Sequence, residues 1–305
     1  MLFNSIAFLL FLPTVFILYW FVCKKHLRLQ NALILVASYV FYGWWDWRFL
    51  GLIAASTLID YIVGRALYKS DVVSKRKWLL AISLVFNLGL LGFFKYYNFF
   101  VESWIDSWAT LGISMQADTL RIILPVGISF YTFQTLSYTI DVYRRKLEPT
   151  RNLLQFAAYV SFFPQLVAGP IERAANLLPQ FVRDRVFNTQ FAISGLYLII
   201  WGLFKKMVVA DNCAFFVNQI FSDPQSYSSL ELLGGGVLFA FQIYGDFSGY
   251  SDIAIGVARL FGFSLMTNFA FPYFSRDIAE FWRRWHISLS TWFRDYLYIP
   301  LGGSR

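Results

Sequence analysis

Histidine, cysteine and charge are all scarce in this sequence. Of 305 residues two are histidine and two are cysteine, and Asp, Glu, Lys and Arg together supply 14%, against about 25% in ordinary globular chains. Each shortage excludes something. Cys23 and Cys213 lie far apart in apolar surroundings, which suits neither a disulfide framework nor a metal-ligand spacing and leaves buried free thiols as the expectation. With no His-x-x-x-His and no Cys-x-x-Cys pattern, no metal site is expected. A GxSxG elbow is also missing, so a hydrolase-type serine nucleophile has no support. Nor is there a convincing strand from which a phosphate-binding glycine loop could spring. So little charge on a chain of this length also rules out a pair of soluble domains.

What is abundant is apolar and aromatic surface, at 58% and 21% of residues. Uncharged runs cover residues 2–23, 29–45, 78–94, 122–140, 152–171 and 186–204, each near the roughly 20 residues that a helix needs to cross a bilayer core. The runs are continuous rather than alternating, which favours helices over a barrel. The expectation is an all-α, polytopic membrane protein forming one integral membrane domain over residues 1–305, with roughly 7–9 membrane segments. The net charge of +8 clusters at helix ends, as membrane orientation demands, and gives no phosphate-binding face for nucleic acid.

The basic loops set a topology. Lys24, Lys25 and Arg28 follow the first apolar run instead of preceding it, so that run reads as a retained helix with its amino end outside. The Asp46–Arg48 turn is then outside and the stretch from Lys69 to Lys77 inside. A loop bearing Glu102, Asp106 and Asp118 is outside, and Arg144, Arg145 and Lys146 are inside. The run at 152–171 breaks the alternation. It contains FPQLVAGPI, and the loop beyond it, with Arg173, Arg183 and Arg185, is again basic. A re-entrant segment is expected there, since irregular backbone is tolerated at membrane depth only where protein or a water-filled cavity surrounds it.

Polar groups within apolar runs carry the functional signal. Tyr131, Gln134, Tyr138 and Asp141 recur at steps of three, four and three and so share one helical face. Taken singly each reads as an interhelical hydrogen-bonder, and as a stripe they read as a polar lining. In YGDFSGYSDIAIGVARLFGF, Asp246 and Asp252 interrupt an apolar segment, with Tyr250 and Ser248 each four residues away from one of them. Such carboxylates face a partner or a water-filled path. The alternatives are an arginine partner from another helix, a proton relay or a substrate contact.

From 276 to 297, Ile278, Phe281, Trp282, Trp285, Leu289, Trp292 and Tyr296 recur at helical spacing, with Arg276, Glu280, Arg283, Thr291 and Arg294 opposite. The pattern predicts one amphipathic helix at a membrane interface, closed by Pro300 and Gly302–Gly303, with Glu280 and Arg284 as an (i, i+4) ion pair. His286 falls at the edge of the apolar stripe. A structural hydrogen bond and a proton-transfer role are both open to it.

Three strings then carry a family resemblance: FPQLVAGPIERA (162–173), QIYGDFSGYSDIAIGVARLFGF (242–263) and FWRRWHISLSTWFRDYLYIPLGG (281–303). They resemble the membrane-bound O-acyltransferase family, most closely its bacterial alginate O-acetylation branch, whose relatives include the membrane protein of teichoic-acid D-alanylation. The resemblance implies a multi-pass enzyme of the bacterial inner membrane that moves an acyl group to a hydroxyl. The acceptor would be an extracytoplasmic polysaccharide or a partner protein. No bound cofactor is implied; an acyl thioester, acetyl-coenzyme A or an acyl-carrier protein, would be the donor substrate. Polysaccharide acetylation and export proteins of the periplasm would be partners. His286 matches the family's first histidine, inside Arg-Trp-His. The family's later histidine, in a Trp-His-Gly context, has no counterpart in this sequence, whose other histidine is His26. The expectation is therefore an amino-terminal portion of a longer enzyme, or else a shortened relative, inactive in acyl transfer by itself. The expected site is His286 in a supporting role. Asp246, Tyr250, Asp252, Tyr131 and Gln134 would line the chamber, and Arg283 and Arg284 would meet an anionic donor or anchor the interface. A transporter or channel, or a non-catalytic scaffold of an export complex, is the rival reading.

Overall fold

The computed structural model describes residues 1–113, 122–167 and 169–304. Among them every regular element is helical: α1 (Ile6–Ile17), α2 (Leu27–Gly43), α3 (Leu50–Lys69), α4 (Val73–Thr110), α5 (Ile128–Tyr143), α6 (Leu153–Val160), α7 (Ala174–Val182), α8 (Thr189–Leu203), α9 (Asp211–Ser222), α10 (Ser229–Leu260), α11 (Ile278–Arg284) and α12 (Ile287–Phe293). Three stretches are long and apolar enough to cross a membrane by length and composition: Trp47–Lys69, Val73–Thr110 and Thr189–Ser222. Their outer faces display Ile62, Val85 and Ile200, a liability in water and ordinary contact in lipid.

Several boundaries differ from the sequence reading. Helix α4 continues through the expected outer loop, so Glu102 and Asp106 lie on its last turns; Asp118 is outside the described residues. The run at 122–140 is not one helix. Pro125 supplies no N–H and restrains its neighbour, and Gly127, at φ 77°, precedes α5. A side chain at Gly127 would collide with the Leu166 carbonyl, so only glycine allows this approach. The end of the apolar run at 186–204 is not a helix end either. Helix α8 widens into a π-helical turn at Phe204–Ala210 and runs on into α9.

Helix α6 is eight residues long. Beyond it the chain turns irregularly through Phe162, Phe163 and Leu166, all essentially unexposed. Protein surrounds this backbone, and the Phe163 N–H donates to Ser38 Oγ at 3.1 Å. A core of aromatic rings forms here, with Phe162 4.7 Å from Phe263 and Phe181 4.7 Å from Phe263. It holds the end of α10 and so aims the segment that follows.

Helix α10 starts at a capping box, Ser228 with Glu231. It packs on α8 so closely that a Cβ on Gly249 would lie 2.7 Å from the Gly202 carbonyl oxygen. Small residues let helix backbones approach in this way inside membranes.

Candidate active site

The aromatic–arginine segment is broken, contrary to the single helix its spacing predicts. Helix α11 stops at Arg284, His286 adopts a left-handed backbone at φ 44° and ψ 54°, and α12 begins at Ile287. Periodicity missed this because the hydrogen bonds come from outside the segment. The Ile287 N–H donates to the Asn268 carbonyl at 2.9 Å, and the Ala270 N–H donates to the Arg284 carbonyl at 3.0 Å. Asn268 Oδ1 accepts from the Ser288 N–H at 3.3 Å and the Ser288 hydroxyl at 2.8 Å. A left-handed non-glycine residue costs about 1–3 kcal/mol, and the unexposed Asn268 supplies the bonds that hold it.

His286 Nδ1 lies 3.1 Å from Asn268 Oδ1. The ring meets Phe247 of α10 edge-on at 4.8 Å, with Phe269 at 6.5 Å. It sits outside the long apolar helices, between two helical pieces of seven residues. Burial pushes its pKa down to about 4, so the imidazole is neutral near pH 7. The expected Glu280–Arg284 pair is present at 2.5 Å. Bonds from the Arg276 N–H and guanidinium, with Arg284 nearby, hold the Glu280 carboxyl down at about 2.

Beyond the break, the segment docks on α5. Trp292 Nε1 donates to the Phe133 carbonyl at 2.9 Å, and the Tyr296 hydroxyl donates to Asp141 at 2.7 Å. Arg173 pairs with Asp295 at 2.6 Å.

The remaining predicted site residues are placed as follows. Asp252 pairs with Lys205 at 2.7 Å and Asp246 with Lys206 at 2.6 Å, so the partner of each carboxylate is a lysine, where an arginine was one of the alternatives the sequence left open. The lysines reach them from the π-helical turn, a widened turn of a kind often kept at functional sites. Ser248 does join Asp252, through Lys205 Nζ at 3.0 Å, but Tyr250 does not bond Asp246. It stacks on Phe3 at 4.6 Å, and its hydroxyl has no partner among the described residues. Tyr131 and Gln134 are buried within the bundle, where Gln134 Nε2 donates to the Tyr159 carbonyl at 2.7 Å. Arg284 is committed to Glu280, while Arg283 is exposed with no ion pair among the described residues. No hydrogen bond or ion pair among the described residues joins His286 to Asp246, Tyr250, Asp252, Tyr131 or Gln134.

What converges on His286 is the set of three quoted strings. Ile171 of the first donates its N–H to Ser288 of the third at 3.0 Å, and Phe247 of the second packs on His286. Glu172 braces the approach by accepting the Met266 N–H. Asn268 escaped the sequence reading because it lies between the second and third strings, and Ser288, although inside the third, passes there for one more small polar residue beside His286. The lysines could have been found by matching consecutive cations to two carboxylates inside apolar runs.

Long apolar helices with exposed apolar outer faces define an integral membrane protein of the all-α class. The chain belongs to the membrane-bound O-acyltransferase family, whose model matches residues 144–305, a span that contains all three strings and bears out the resemblance. Over its whole length it is 46% identical to the protein called probable alginate O-acetylase AlgI of Azotobacter vinelandii, covering 60% of that relative. It is 36% identical to the peptidoglycan O-acetyltransferase of Helicobacter pylori, covering 62% of it. With the teichoic acid D-alanyltransferase of Streptococcus thermophilus it shares 32% identity over 58% of this chain and 44% of the relative. The chain thus spans about three fifths of the curated relatives that it matches end to end.

Proposed function

We propose that this protein serves membrane O-acyl transfer, carrying an acetyl group from a cytoplasmic thioester donor to hydroxyls of an alginate-like extracytoplasmic polysaccharide. Acetyl-coenzyme A or an acyl-carrier protein is the donor, and polysaccharide acetylation proteins of the periplasm are partners. On this reading the chain lies in a bacterial inner membrane with its amino terminus outside. It has roughly 7–9 membrane segments, counting a re-entrant 152–171. The names of the relatives support the reaction class more firmly than the acceptor. Alginate, peptidoglycan and teichoic acid differ as polymers, while acyl transfer is common to all three names.

The observation that carries the reading is the meeting of three separated strings at one neutral, half-buried histidine. Acyl transfer to a hydroxyl needs a group that takes the hydroxyl proton as oxygen attacks the thioester carbonyl. The carbon–sulfur bond then breaks and the thiolate leaves. A neutral imidazole next to apolar rings suits that environment, and His286 supports the reaction chamber here. Replacing His286 by alanine in the full-length gene should lower O-acetylation of the polymer by about 10²–10⁴-fold. Unchanged acetylation overturns the reading, and altered polymer export with acylation intact favours a transport role instead.

A further inference from the structure

The atoms around Asn268 determine which nitrogen of His286 carries the proton. A backbone N–H can only donate, and the Ser288 N–H points at one atom of the Asn268 carboxamide at 3.3 Å. That atom is therefore the oxygen. The Ser288 hydroxyl accepts from the Ile171 N–H at 3.0 Å and gives its own hydrogen to the same oxygen at 2.8 Å. An amide oxygen has no proton to offer, so the His286 Nδ1 at 3.1 Å must be the donor.

We infer that Asn268 is a positioning residue that locks His286 as its Nδ1–H tautomer and leaves Nε2 as a bare acceptor nitrogen. This deepens the acyl-transfer reading and rests on it for its purpose. With Nε2 unprotonated, His286 accepts a hydrogen bond or a proton from a hydroxyl, and it cannot serve as a neutral Nε2–H donor. Free imidazole favours the opposite tautomer, so the preference has to be imposed. The hold is double, because the Asn268 carbonyl also accepts the Ile287 N–H at 2.9 Å and so fixes the left-handed turn that swings the ring towards its own side chain. The ring's hydrogen-bond and aromatic partners among the described residues are uncharged: Phe247 from α10, with Asn268 and Phe269 from the preceding loop. The tautomer is therefore governed by a hydrogen bond rather than by a neighbouring charge. Outer partners of this kind commonly fix the orientation and basicity of functional histidines.

The scarcity of histidine makes the test direct. His26 caps α2 without a side-chain hydrogen bond, so His26→Gln leaves His286 as the one histidine of the chain. Nitrogen-15 imidazole spectra of this protein in detergent micelles should show Nδ1 protonated and Nε2 bare. Asn268→Ala should shift the majority to the Nε2–H form. Asn268 Nδ2 has no partner among the described residues, so Asn268→Asp removes no bond seen here while placing a carboxylate on Nδ1. It should raise the proton affinity of the ring about tenfold or more, which a purely structural role would not do. An Nε2–H ring in the parent protein overturns the inference. So does an unchanged tautomer in Asn268→Ala, or an unchanged titration in Asn268→Asp. Should Asn268→Ala fail to fold, the parent spectrum and the aspartate variant decide. None of these readouts uses acyl transfer. The inference and the acyl-transfer reading therefore fail separately, the latter through His286→Ala in the full-length gene.

Discussion

Asp60 and the Asp246–Asp252 pair show two opposite ways of keeping carboxylates in an apolar bundle. Asp60 on α3 is unexposed and meets only neutral donors: Ser83 Oγ at 2.5 Å, Asn87 Nδ2 at 2.8 Å and Thr139 Oγ1 at 3.1 Å. Ser56 extends the network by donating to Asn87 Oδ1 at 2.7 Å. Three helices, α3, α4 and α5, are stapled by one sealed set of hydrogen bonds. On α10 the carboxylates are paired with cations instead and are less enclosed: the Asp252 side chain is 21% exposed and that of Asp246 53%. A full charge in hydrocarbon requires a counter-charge or water, and this seam supplies the counter-charges. Its position follows the same division, since Phe247, which touches His286, lies between the residues that bind the two lysines. The sealed network fixes the bundle, and the ion-paired seam lies beside the histidine.

The sharpest way to break this contrast is Asp60→Ala. It strands the Ser83, Asn87 and Thr139 donors in a dry interior, and at about 1–3 kcal/mol per unsatisfied group the loss should be about 3 kcal/mol or more. Thermal unfolding in detergent reads it, and an unshifted transition would show that Asp60 staples nothing. Lys205→Ala comes next, at about 2 kcal/mol, because it leaves the part-buried Asp252 without its cation. The double variant with Asp252→Ala should recover part of that loss, and simple additivity would argue against a coupled pair. The smallest effect belongs to Lys206→Ala, since the Asp246 side chain is 53% exposed. It should cost under about 1 kcal/mol and shrink further with added salt; a loss as large as that of Lys205→Ala would mean that the seam is as sealed as the network.

Much of this arrangement was legible along the chain. The continuous apolar runs announced helices and a bilayer, the three strings announced the family, and the spacing of Glu280 and Arg284 announced their pair. Other features required a partner that no local pattern shows. The Asp60 network draws on residues 23 to 79 positions away, so no window of sequence contains it. Glu102 and Asp106 looked like loop residues because charge usually ends a span, yet α4 is simply longer than the bilayer it faces, at 38 residues or about 57 Å.

The sequence by itself determined that this is a helical membrane protein with His286 in a family motif, because burial in lipid imposes hydrophobic length and helical hydrogen bonding on every crossing. Only the tertiary structure decided what His286 is. Its stripe of tryptophans has the period of one unbroken helix, and the segment would form one if helical propensity alone acted. A loop carrying Asn268 arrives from the end of α10, takes over the backbone hydrogen bonds of Ile287 and Ser288, and turns the chain left-handed at the histidine. Those bonds join residues about twenty positions apart, beyond the reach of any periodicity.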